Sequence, residues 1–157
     1  PRQFTIASTV TIGIPAFILA LAPSTGPWRP DHFLANVARF ALPAGIASGI
    51  GIVAGYLLAR YALDLDLKDA RAVAAGTVVA AGLAVVMRLE DEPGRRRLLV
   101  AGLCAAMALV FALALFVPFL RDFYELSTLS GEILLAWAVG SVVAVGGMLG
   151  AVRLARV

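Results

Sequence analysis

Residues 9–23 read TVTIGIPAFILALAP, an almost wholly apolar run that carries Gly13 and Pro15 where a membrane helix should be continuous. Proline has no N–H and its ring clashes with the turn before it. In hydrocarbon such a break is tolerated only where neighbouring groups satisfy the freed carbonyl again. The run therefore reads as a kinked helix, broken at Gly13-Pro15 and set inside a protein bundle.

The rest of the chain has the same solvent in mind. Of 157 residues, 61% are hydrophobic and only 15% charged, and the mean hydropathy is +0.93. Soluble domains carry roughly 45–50% apolar residues, so this is an integral membrane protein in contact with the lipid bilayer. The formal charge of +3 comes from Arg clusters at the ends of apolar runs; topology explains them, and nucleic acid is not an expected partner. Twelve of the thirteen basic residues are Arg, against the single Lys68, a bias that together with abundant Ala, Gly and Val suggests a high-GC bacterial source and its plasma membrane. The sequence starts at Pro1 without an initiator Met or a separable signal peptide, as expected for a piece of something longer. The lone Cys104 stands in an apolar run and reads as a small buried hydrophobe.

A hydrocarbon core of about 30 Å needs roughly 20 apolar residues at 1.5 Å each. Five segments approach that length, over 4–22, 43–63, 72–87, 98–119 and 133–154, which makes the expected fold an all-α membrane bundle of five transmembrane helices in a single domain. The third span is the shortest, with Arg71 and Arg88 able to snorkel from its ends. Between the first two, a Pro- and Gly-rich loop leads into an interfacial helix over 31–41, with Asp31 as its cap and Phe33, Leu34, Val37 and Phe40 on one face. With the first helix running inward, Arg29, Arg39, Arg88, Arg95, Arg96, Arg97, Arg153 and Arg156 fall inside, while Arg2, Arg60, Lys68, Arg71 and Arg121 fall outside. The positive-inside rule then places Pro1 outside and Val157 in the cytoplasm. Residues 89–97 include the charged turn EDEPGRRR, which pins that topology.

Small residues let helix backbones touch in lipid. The second span offers Gly45 with Gly49 and Gly51 with Gly55; the fifth offers Ala136 with Gly140, Gly146 with Gly150, and Gly147 with Ala151. The run GIASGIGIVAG lacks the Gly-Lys-Ser/Thr ending of a phosphate loop.

Chemistry in a span would be marked by an ionisable group, yet all ten acids lie in loops or at helix ends. No nucleophilic triad, paired carboxylates or zinc spacing occurs, and His32 stands in a loop, so no catalytic residue is assigned. Polar residues within spans concentrate in the first: Thr5, Ser8, Thr9 and Thr11, all before the break. Proline at 15 frees the carbonyl of Thr11, and Ser8 and Thr11, three apart, share a helical face. Freed carbonyl and hydroxyls make a partial shell of oxygen ligands for a hard cation. The alternative use of those hydroxyls is bonding back to their own helix.

Pro1-Arg2-Gln3, Ser8, Thr11, Gly13, Pro15-Ala16 and the closing Leu19-Ala20-Leu21-Ala22-Pro23 resemble the sixth membrane helix of P-type cation-transporting ATPases, whose calcium-pump form runs P-x-Q-(x)4-N-x-x-T-D-G-x-P-A. The phrase TIGIPAFILAL is closer still to the actinobacterial type E calcium-transporting ATPases. The resemblance implies that this is the C-terminal membrane region, sixth to tenth helices, and that calcium is the transported ion. Ser8 and Thr11 match the Asn and Thr ligands of that helix, while Ile12 stands where the calcium pumps carry Asp. It further implies that ATP and magnesium act only through upstream domains, since the phosphorylated Asp-Lys-Thr-Gly-Thr motif does not occur here. Upstream membrane helices and cytoplasmic domains of the same pump are then the partners that the polar face of the first helix expects. The rival reading is a stand-alone small membrane scaffold or assembly subunit packing through its glycine faces; a channel or secondary transporter has only the kinked polar helix in its favour.

Overall fold

The computed structural model describes residues 2–21, 33–89, 94–123 and 130–155. The loop before the second span, with Arg29, Asp31 and His32, lies outside the described residues, as do Glu90 to Pro93 of the charged turn and both chain ends.

Every element described is helical. Helix α1 (Arg2–Ser8) passes through a wider π-turn (Thr9–Gly13) into α2 (Ile14–Leu21). Helix α3 (Phe33–Leu57) ends in a second π-turn (Leu58–Ala62). Then follow α4 (Leu67–Leu89), α5 (Arg95–Phe116), the short α6 (Pro118–Phe123) and α7 (Gly131–Ala155). Among the described residues, four stretches are long and apolar enough to cross a membrane: Val37–Ala62, Leu67–Leu89, Arg97–Phe116 and Gly131–Arg153. The first apolar stretch, Phe4–Ile18, is shorter.

Local chemistry sets the ends. Polarity at Lys68, Asp69 and Arg71 suggests a span starting at 72, but α4 begins at Leu67: Asp69 lies in its first turn and Arg88 in its last, where each sign suits the helix dipole. The interfacial helix and the second span form one helix, continuous through Pro43. Its next turns are held from the side, with Ala44 and Ala47 buried against Met148 and Val152. At the other end of the bundle proline does stop a helix. Val117 takes an extended conformation, φ −80° and ψ 114°, as a residue before proline is driven to do, and the chain restarts at Pro118.

Helix α4 is the centre. It touches α1, α3, α5 and α7, and its run of small residues explains why: Ala70, Ala74, Ala75 and Ala81 are buried with little volume to keep neighbours away. Three apolar clusters fix the arrangement. Ile6, Ala7 and Val10 of the first helix pack on Val79 of α4 and on Met107, Phe111 and Ala114 of α5. Ala59, Ala70, Val73, Ile133 and Ala136 join α3, α4 and α7 at one end. Ala44, Met148 and Val152, with Phe40 and Val85 against them, join the same three helices at the other.

Backbone contact is closest between α3 and α7. A Cβ built on Gly51 would lie 2.5 Å from Ala144 Cα, and one on Gly55 would lie 3.2 Å from Gly140 Cα. A Cβ on Gly147 would lie 3.4 Å from Ala47 Cβ, whereas one on Gly45, Gly49, Gly146 or Gly150 would meet nothing within 4 Å. Of the small-residue pairs in the sequence, Gly51 with Gly55 and Ala136 with Gly140 are engaged, whereas Gly45 with Gly49 and Gly146 with Gly150 are open.

Candidate functional site

The site builds outward from the break in the first helix. The N–H of Ile14 donates to the carbonyl of Thr9 rather than to that of Val10, its α-helical partner. In the π register the next donor for Val10 would be residue 15, which is proline and has none. Proline likewise removes the α-helical donor of Thr11. Two successive carbonyls, Val10 and Thr11, thus lose their α-helical donors, where the sequence points to Thr11 alone.

The π-turn also separates the two candidate ligands. In an α-helix residues advance about 100° each, so positions three apart nearly superpose. With i→i+5 bonds the advance per residue is smaller, and Thr11 falls further round the axis from Ser8. Ser8 is exposed on the bundle, while Thr11 is 7% exposed and packs against α4. Ser8 thus stands on the exposed side of the first helix and Thr11 on its buried side.

Thr11 Oγ1 donates to the carbonyl of Ala7 at 2.7 Å, and Thr9 Oγ1 to that of Thr5 at 2.9 Å. Back-bonding, the alternative weighed above, is therefore realised for both. It uses the hydroxyl proton and leaves the lone pairs of Thr11 Oγ1 free to accept or to ligate. Ile12 is 66% exposed, and Gly13 beside it is also exposed; Pro15 is fully buried.

Thr11 and Ile12 open onto a groove of about 490 Å³ between the first helix, α3 and α4, whose far wall includes Ala44, Ser48, Val85 and Leu89. Ser48 Oγ is buried without a hydrogen-bond partner among the described residues. In the chain as described, Thr11 and Ser48 are the polar side chains lining that groove. Ser48 escaped the reading of the sequence because a lone serine in a glycine-rich span looks like one more small residue. Thr77 escaped for a similar reason. It is fully buried, donates to the Val73 carbonyl at 2.9 Å and sits against Gly140 of α7.

Among the described residues, acidic side chains lie away from this region. Asp64 and Asp66 lie in the α3–α4 connection, Asp69 and Glu132 in first turns, and Asp122 in α6. Among the described residues no three His, Cys, Asp or Glu side chains come together. The oxygens available at the break are neutral: a hydroxyl and carbonyls.

The chain is 38% identical over 120 residues to the calcium-transporting ATPase CtpE of Mycolicibacterium smegmatis, covering 73% of this chain and 15% of that protein. It is 36% identical over 149 residues to the proteins of the same name from Mycobacterium bovis and Mycobacterium tuberculosis, covering 90% of this chain and 18% of theirs. It thus spans less than a fifth of the length of the curated relatives it matches. No family model matches, and no solved structure does. The likeness first carried by residues 1–23 extends over most of the chain.

Proposed function

We propose that this chain, which belongs to the CtpE type of P-type calcium-transporting ATPases, is the membrane-embedded part of an ATP-driven calcium pump. Its first helix contributes oxygen ligands to the ion path, and α3 to α7 form the scaffold that holds it. The observation that carries this reading is the coincidence of two things: relatedness over 90% of the chain to proteins named as calcium-transporting ATPases, and a proline-broken π-turn that presents Thr11 Oγ1 beside two carbonyls without α-helical donors.

A calcium ion takes about 6–8 oxygens, several of them carboxylate. The break supplies neutral oxygens only, with Ile12 at the position where the calcium pumps carry Asp. The charge is then supplied by upstream helices of the same polypeptide, which pack on the exposed side of the first helix, where Ser8 and Ile12 lie. ATP and magnesium are handled by upstream cytoplasmic domains. In this reading the pump sits in a bacterial plasma membrane with Pro1 outside and Val157 inside. Support for that orientation comes from Arg39 early in α3, Arg88 in the last turn of α4, Arg97 early in α5 and Arg153 in the last turn of α7, a basic set that antiparallel helices gather at one membrane face.

The test is transport. Everted membrane vesicles carrying the full-length polypeptide that contains this chain are expected to accumulate calcium when ATP is added, and to release it to a calcium ionophore. Vesicles that hydrolyse no ATP in response to calcium and accumulate none would contradict the reading and favour a packing subunit.

A further inference from the structure

The break in the first helix does not hold its own shape. Its hydrogen-bond register is irregular, its glycine is exposed, and a neighbour must fix where its oxygens point. That neighbour is α4, and the contact is unusually close at one position. A Cβ built on Gly82 would lie 2.8 Å from Thr11 Cβ, 2.9 Å from Thr11 Cγ2 and 3.4 Å from Thr11 Oγ1. The first two distances are shorter than real Cβ contacts allow.

Side-chain rotation cannot relieve such a contact. Thr11 Oγ1 is tied back to Ala7 O at 2.7 Å, which turns Cγ2 toward α4, and the nearest atom is Cβ itself, which moves only with the backbone. Nor can the first helix slide along α4, because Ile6, Ala7 and Val10 are locked against Val79, Met107 and Phe111 one turn away. A single added methyl at 82 must therefore push the π-turn off α4. The open glycines of the same bundle show no such demand: Gly102 of α5 and Gly45 of α3 meet nothing within 4 Å.

We infer that Gly82 is a positioning residue for the cation site. The missing side chain is the seat on which Thr11 rests, and it sets the approach of the Thr11 hydroxyl to the calcium it binds. The inference rests on Thr11 as a ligand, and it assigns the geometry of that ligand to a helix that supplies no oxygen at this point. Groups that orient a metal ligand without touching the metal typically change affinity by about 10–100-fold when altered. Gly82→Ala is accordingly expected to raise the calcium concentration for half-maximal ATPase activation roughly tenfold, while the maximal rate at saturating calcium changes far less.

The experiment is a double-mutant cycle in the full-length pump, with Gly82→Ala, Thr11→Ala and both together, read as half-activating calcium, maximal rate and amount in the membrane. If Gly82 acts through Thr11, its substitution adds little once the hydroxyl is gone, so the two effects are strongly non-additive. Additive effects overturn the positioning role while leaving Thr11 as a ligand. Unchanged calcium dependence in Thr11→Ala removes the ligand reading itself. Should Gly82→Ala fail to reach the membrane, recovery in a Thr11→Gly background, which removes the Cβ that a methyl at 82 would strike, supports the seat. Failure in both backgrounds overturns it, because the fold then requires glycine whatever stands at 11.

Discussion

Thr77 of α4 occupies the space that a side chain on Gly140 of α7 would need: a Cβ there would lie 2.9 Å from Thr77 Oγ1. Behind that threonine stand backbones, Gly55 Cα at 3.1 Å and the carbonyl of Gly51 at 3.2 Å from the same point. Three helices therefore meet at one residue without a Cβ. In lipid, where burial of apolar surface gives no drive between helices, such close approach is what holds them.

Gly140→Ala is expected to lower stability by about 1–3 kcal/mol, the usual cost of overpacking, because α7 must withdraw from both α3 and α4. Thermal unfolding of the detergent-solubilised full-length protein checks this. An unchanged midpoint would mean that the three helices are not in contact here.

Equal glycine spacing predicts unequal outcomes. Gly51→Ala should be at least as damaging as Gly140→Ala, since its Cβ meets the backbone of Ala144. Gly146→Ala, open on the bundle surface, should leave stability unchanged or raise it by up to about 1 kcal/mol, with the midpoint unchanged or higher, alanine being the better helix former. Comparing the two midpoints separates an engaged glycine face from an idle one.

Pro15→Ala returns an N–H to the break. An N–H at 15 is able to donate to Thr11 in the α register or to Val10 in the π register, so one of the two carbonyls is lost as a free ligand. The expected outcome is a pump that still folds but requires more calcium for half-maximal activation. A variant with ordinary calcium dependence would show that neither carbonyl serves the ion.

Much of the bundle was legible in the sequence, because apolar length and flanking charge both follow from the bilayer. The break at Gly13-Pro15 was legible too, proline being the one residue whose backbone chemistry is written in its name. The π-turn before it was not. Composition does not encode whether Ile14 donates to Val10 or to Thr9, and that choice depends on how Val10 and Thr11 pack on α4. It also leaves Ser8 on the exposed side of the first helix and Thr11 on the buried side. The start of α4 at Leu67 was hidden because Lys68, Asp69 and Arg71 look like loop residues until the helix dipole is considered. Glycine spacing marked faces on α3 and α7, yet Gly45–Gly49 and Gly51–Gly55 read alike although only the second pair meets α7. Gly82 carried no signal at all, since its partner lies on a helix distant in sequence.

Whether the break in the first helix binds the ion is tested most directly by equilibrium calcium binding to the full-length polypeptide that contains this chain. Thr11→Val keeps the shape that rests on Gly82 and removes the oxygen. It should weaken calcium binding by roughly tenfold or more with the protein still folded. Binding indistinguishable from that of the unaltered protein would contradict the assignment of Thr11 to the calcium path.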